Sequence, residues 1–172
     1  MTSTLIAAAM MAAAPAAAQY PTKPLRMVVP FPAGGATDTI ARVIAAPLSQ
    51  VLGQQVIVDN KPGADGAIAG DAVAKSAPDG YTIFLATSSA LSAVPAMRKQ
   101  PPYDPVTAFT PITKVGTFSY FLFAHPSVPG RNVGELIEYI RANPGKVNYA
   151  GATTAGVMAA VELSGFAKLD GG

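Results

Sequence analysis

Short apolar runs alternate with breaker-rich turns and amphipathic stretches along the chain. Leu25 to Phe31 is apolar and rich in β-favouring residues, and Pro32, Gly34 and Gly35 break it. From Thr37 to Leu52 the apolar residues Ile40, Val43, Ile44, Leu48 and Leu52 recur at helical spacing, which predicts a helix. Pro47 inside it predicts a kink or an early end, and Gly53 is placed to close it. Gln55 to Val58 predicts a second strand, stopped by Asp59-Asn60-Lys61-Pro62-Gly63. Ala64 to Ala77 predicts a small-residue helix with Ile68, Ala72 and Val73 on one face. Pro78-Asp79-Gly80 is a turn, and Tyr81 to Ala86 predicts a third strand. Strands alternating with helices predict an α/β fold with a parallel sheet and right-handed crossovers.

Beyond residue 100 the pattern changes. Pro101-Pro102-Tyr103-Asp104-Pro105 predicts an extended linker, because four of its five residues are proline or precede one. Phe118 to Ala124 predicts another strand. Val133 to Asn143 predicts an amphipathic helix with Leu136, Ile137 and Ile140 inside and Glu135, Glu138 and Arg141 outside. Pro144-Gly145 stops it, Val147 to Ala150 predicts a short strand, and Val157 to Lys168 predicts a final helix after a Gly/Thr loop. Strand, Gly-rich loop and helix thus occur twice, near 31–39 and near 149–158. Two lobes with one such loop each would face the loops across a cleft.

Composition narrows the class. Of 172 residues half are hydrophobic and 13% are charged, which excludes a disordered chain and permits a core. The net charge is +2 and the basic residues are scattered, so no stripe for nucleic acid exists. Leu5 to Ala18 is an apolar, Ala-rich run too short to span a bilayer, and it ends in Ala16-Ala17-Ala18. It predicts a secretory signal peptide over 1–18, cut after Ala18, although no Lys or Arg precedes it. There is no cysteine, which removes thiol chemistry and a lipidated N-terminal Cys.

The Gly-rich loops carry the candidate chemistry. A strand that feeds a Gly-rich loop into a helix aims free N–H groups and the positive helix end at one spot. Phe31, Ala33, Gly34, Gly35, Ala36, Thr37 and Asp38 form such an anion seat, with Thr37 and Asp38 as candidate N-caps. The same pattern is equally that of a tight turn. A nucleotide-binding, Rossmann-like enzyme lobe is a second alternative, with Asp59 where a ribose-binding acid would stand. The loop lacks Gly-x-Gly-x-x-Gly, however, and no Gly-Lys-Ser/Thr motif exists. The single His125 and the absence of a Gly-x-Ser-x-Gly elbow or a metal-ligand cluster point away from an enzyme. No cofactor or metal is expected.

These residues also carry a resemblance. Tyr20-Pro21-Thr22-Lys23-Pro24-Leu25-Arg26 and Val29 through Arg42 closely resemble the opening of the solute-binding receptors of tripartite tricarboxylate transporters, of which the Bordetella uptake receptors are a large subset. Val58-Asp59-Asn60-Lys61-Pro62-Gly63-Ala64, Pro78-Asp79-Gly80-Tyr81-Thr82, Pro102-Tyr103-Asp104-Pro105, Phe109-Thr110-Pro111-Ile112 and Pro144 through Tyr149 continue the match in order. The resemblance implies a type II periplasmic binding fold, with 19–112 in lobe 1 and 113–172 in lobe 2. It implies a monomeric periplasmic receptor that takes a small carboxylate to a membrane permease. The ligand would be a di- or tricarboxylate, an amino acid or an aromatic acid. Contacts are implied from the first loop, from Thr87, Ser88 and Ser89, and from Gly151, Thr153, Thr154 and Gly156. One departure concerns the last helix. Members usually carry a Ser-His pair at its start, where this chain has Val157-Met158-Ala159-Ala160, which implies a less polar ligand end. Members also run to about twice this mature length, so the expectation is a truncated receptor with both lobes incomplete that binds weakly or serves as a non-functional fragment.

Overall fold

The computed structural model describes residues 19–151 and 153–169, and the predicted signal peptide lies outside them. Three strands form one parallel sheet: β1 (Leu25–Val29), β2 (Val56–Asn60) and β3 (Thr82–Phe84), in the order β2-β1-β3. Leu25 to Val29 pair with Val56 to Asn60 on one side, and Arg26 to Val28 with Thr82 to Phe84 on the other. Apart from Arg26, the central strand is apolar and buried on both faces, as a parallel sheet covered by helices requires.

Each face of β1 has its own helix. Leu25, Met27 and Val29 point to α1 (Ala36–Leu52), where Ala41, Ala45, Ile44, Leu48 and Leu52 pack on them. Val28 points the other way, onto α2 (Ala67–Ala74), with Ala69, Val73, Phe84 and Phe109. The helices that follow β1 and β2 therefore cover opposite faces, and the loops leaving the carboxyl ends of the strands open a crevice.

Several expectations are met and several are corrected. The helix runs through Pro47 to Leu52 and closes at Gly53, whose φ is 65°. Proline removes one ladder bond at a cost of about 3 kcal/mol, but the apolar stripe on both sides of it is anchored on the sheet. The predicted helix over 64–77 is shorter. Residues 63–66 have φ of 129°, 48°, 53° and 93°, so a tight turn (Ala64–Gly66) precedes α2. The predicted strands over 118–124 and 147–150 do not form. A strand needs a hydrogen-bonded neighbour, and among the described residues none lies beside Phe118 to Ala124, where Phe121 is 77% and Phe123 86% exposed. Residues 113–169 carry two helices instead, α3 (Val133–Ala142) and α4 (Thr154–Phe166). Asn132 caps α3 at the Glu135 amide, and the Glu135 carboxylate reaches back to the Arg131 amide. The Arg141 guanidinium donates to the Ala167 carbonyl and ties α3 to the end of α4.

Between β3 and this region a π-helical turn (Ser89–Ala93) runs into a short helical turn (Val94–Ala96). Tyr103, buried, locks it: its hydroxyl donates to the Ala90 carbonyl at 2.6 Å, and its ring meets Phe109 edge-on. Burial raises the Tyr103 phenol above its ordinary pKa of 10.0. The ring lies flat over Gly70, where any Cβ would overlap it. Gly→Ala inside a helix ordinarily stabilises by about 0.5–1 kcal/mol. Here Gly70→Ala is expected to reverse the sign and cost about 1–3 kcal/mol by overpacking, read as a lower midpoint in urea unfolding. An unchanged or raised midpoint would show that Tyr103 does not seat on α2.

Candidate functional site

The first loop is held from behind by one buried carboxylate. Asp38 sits in the first turn of α1 and is 3% exposed. One of its oxygens accepts from the Gly34 amide at 2.8 Å and from Arg42 Nε at 3.0 Å, and the other accepts from Asn60 Nδ2 at 3.0 Å. Asn60 also donates to the Phe31 carbonyl at 3.0 Å, so the end of β2 supports the start of the loop. Asp38 thus links loop, helix and neighbouring strand. The Arg42 guanidinium first, then the Gly34 amide and the Asn60 side chain, hold its carboxyl down at about 2, against an ordinary 3.8.

This support leaves the front of the loop open. Gly34 has φ of 84°, a region that favours glycine, whereas Gly35 is extended at −76°, 170° and caps the helix without a side chain. Ala33, Gly34, Gly35 and Ala36 are exposed, while Thr37 and Asp38 are buried. The first helical backbone bond runs from the Thr39 amide to the Gly35 carbonyl. The amides of Ala36, Thr37 and Asp38 precede it, and among the described residues they meet no acceptor. Three donors converging at a positive helix end make a seat for an anion.

Two further loops stand beside this one. The turn at residues 63–66 is wedged in place: a Cβ on Gly66 would come within 2.9 Å of the Ala90 side chain and 3.0 Å of the Pro30 side chain. After β3, Thr87 accepts from the Leu91 amide through its carbonyl at 3.0 Å and from the Ala90 amide through its hydroxyl at 3.5 Å. Ser89 is buried and Ser88 exposed. Ser88 and Ser92 line a groove whose opposite wall is Ala155, Met158, Ala159 and Glu162 of α4. The segments that follow β2 and β3 therefore meet the amino end of α4.

The fourth loop is arranged differently. Gly151 is exposed and packs against Val157, leaving no room for a side chain. Thr153 caps α4, accepting from the Gly156 amide through its hydroxyl at 3.2 Å and from the Val157 amide through its carbonyl at 3.0 Å. The Thr154 amide donates to Asp65 Oδ2 at 2.6 Å. Of the sequence-derived residues, Phe31, Ala33, Gly34, Gly35 and Ala36 lie in the first of these loops, and Gly151, Thr153, Thr154 and Gly156 lie in the fourth. Asp38 and Ser89 are buried.

Asp65, Asn60 and Arg42 were not singled out from the sequence. Asp65 was hidden in a predicted helix, although Gly63 and Gly66 on either side mark a turn. Asp59 is engaged by Arg26 at 3.6 Å and Lys61 at 3.7 Å and does not stand free as a ribose-binding acid would. His125 is tied to Ser127, whose amide donates to its Nδ1 at 3.2 Å, and ends an exposed segment. Among the described residues no three His, Asp or Glu side chains gather to hold a metal ion, and no helix is long and apolar enough to cross a membrane.

A carboxylate with a depressed pKa stabilises the fold fully above its unfolded value, and that contribution is lost as pH falls through the folded value. For Asp38 the window lies between 3.8 and about 2. Asp38→Asn is expected to lower the melting temperature at neutral pH and to flatten the loss of stability across that acid window, as read by circular dichroism melts. Melts that matched the parent at every pH would show that the loop stands without this carboxylate.

Residues 40–167 match the family described as Tripartite tricarboxylate transporter family receptor. BugT of Bordetella pertussis is 43% identical over 150 residues, covering 84% of this chain and 45% of BugT. An R. palustris protein solved with adipate superposes with a TM-score of 0.70 at 37% identity, over 80% of this chain and 46% of that one. MatC from Rhodopseudomonas palustris, solved with bound malate, superposes with a TM-score of 0.70 at 30% identity, over 88% and 52%. The chain thus spans about half the length of the relatives it matches. With three-quarters of its length inside the match and a parallel α/β sheet shared with solved periplasmic binding proteins, this chain belongs to the receptor family of tripartite tricarboxylate transporters.

Proposed function

We propose that the chain works as a periplasmic solute-binding receptor that captures a small carboxylate and delivers it to a tripartite tricarboxylate-type permease in the membrane. Residues 1–18 would direct export, 19–112 would form one lobe and 113–172 would belong to a second, in a receptor acting as a monomer. The ligand's carboxylate would sit on the first loop, against Ala33 to Thr37, with Thr87 and Ser88 beside it and Gly151, Thr153, Thr154 and Gly156 opposite. Asp38 and Ser89 would shape that site from behind.

The observation that carries this is the trio of open amides at Ala36, Thr37 and Asp38, braced by a carboxylate pinned on three sides. Hydrogen bonds to a charged acceptor contribute about 1.5–3 kcal/mol each, and the helix end adds about 0.3–2 kcal/mol. Two relatives solved with adipate and with malate support the same ligand chemistry. The family is one of receptors, so an enzyme is not the function proposed.

Proline is well tolerated at the first helical position, and the extended Gly35 before it is compatible with proline. Ala36→Pro should therefore preserve α1 and remove one donor. In amide chemical-shift titrations with small carboxylates, the shifts are expected to concentrate on residues 35–38, and Ala36→Pro is expected to weaken binding by about 10- to 150-fold. Carboxylates that leave these amides unmoved, or NAD or ATP moving them instead, would sink the proposal.

A further inference from the structure

The two helix ends that face the crevice are not equivalent. At α1 three amides are open. At α4 the Thr154 amide is taken by Asp65 and the Gly156 amide by Thr153, so among the described residues the Ala155 amide alone meets no acceptor before the first helical bond. The acceptor at Thr154 is a carboxylate oxygen from 89 residues away in sequence. Among the described residues no Lys or Arg pairs with Asp65. Arg42 pairs with Asp38 and Lys61 with Asp59.

Asp65 is also held where it is. Its φ is 53° in a run of four positive φ angles, and the adjoining Gly66 is clamped between Pro30 and Ala90. Pro30 leads directly into the first loop, so Asp65 bridges from the base of the α1 seat to the tip of α4. A second carboxylate arriving at α4 would find its donor occupied and a like charge beside it.

We propose that Asp65 is a specificity-determining residue: its carboxylate closes the α4 end of the cleft to a second carboxylate and restricts the receptor to acids whose far end is uncharged or cationic. This rests on the receptor function proposed above and narrows it, setting this chain apart from relatives solved with the diacids adipate and malate. The ligand's one carboxylate binds the α1 amides. Its other end lies against Asp65, the small residues Ala155 and Ala159, and Met158, where an alkyl or ammonium group is accommodated and an anion repelled.

Hexanoate, adipate and 6-aminohexanoate share a six-carbon chain and differ only at the far end. Titrated into the 172-residue chain and followed by amide shifts, which read affinities into the millimolar range, hexanoate and 6-aminohexanoate are expected to bind at least about tenfold tighter than adipate. Asp65→Gly keeps the left-handed backbone without a carboxylate, and Asp65→Asn keeps an acceptor for Thr154 without the charge. A preserved melt in either variant establishes that it folds. The hexanoate-to-adipate affinity ratio is expected to shift at least about tenfold toward adipate in both. Equal binding of adipate and hexanoate by the parent, or a ratio unmoved in both variants, would overturn the role of Asp65 while leaving carboxylate binding intact. Failure of all three acids to shift any amide would overturn the receptor function itself, and this inference with it.

Discussion

A single carboxylate, that of Asp38, fixes the geometry on which the site depends. It is buried, and burial of an unpaired carboxylate is costly, so its position is defined by the donors that surround it. Those donors come from three different elements: the loop at Gly34, the helix at Arg42 and the neighbouring strand at Asn60. The consequence runs outward. With Asp38 satisfied from behind, the helix start needs no side-chain cap, and Gly35 supplies none. The next three amides are then left without an acceptor among the described residues, where an ordinary helix would have covered one with a Ser or Asp cap.

Much of the architecture could be read from periodicity. β1, α1 and β2 lie close to where the apolar pattern predicts them, because each buries a full stripe against its neighbour and the pattern reflects that burial. The failures have physical causes. Pro47 did not end α1, since packing on both sides outweighs one missing bond. Phe118 to Ala124 has the composition of a strand but no partner edge among the described residues, and composition cannot supply one. The region 64–66 was predicted as helix because Ala and Asp are compatible with it, whereas the flanking glycines turn it left-handed.

The site was half legible for the same reason. A Gly-rich loop between a strand and a helix is local, so the seat at Ala33 to Thr37 could be named from adjacent residues. The contacts that give it shape are not local. Asn60 to Asp38 spans 22 residues and Asp65 to Thr154 spans 89, and nothing in either segment alone announces its partner. Tyr103 is similar: it sits in a proline-rich stretch that reads as linker, yet its hydroxyl and ring fix the turn after β3 to α2. The loop before α4 illustrates the opposite error. Its Gly and Thr residues resemble the first seat, but Thr153 caps its own helix and Asp65 takes the next amide, so similar sequence produces one open and one largely filled helix end.

The central claim is that backbone amides at the start of α1 hold a ligand's carboxylate. The most direct measurement is a crystal structure of the chain grown with a small carboxylate. The account predicts carboxylate oxygens within hydrogen-bond distance of the Ala36, Thr37 and Asp38 amides, with Asp38 still bonded to Gly34, Arg42 and Asn60. A ligand bound elsewhere with those amides facing solvent, or an Asp38 side chain rotated out to meet it, would contradict it.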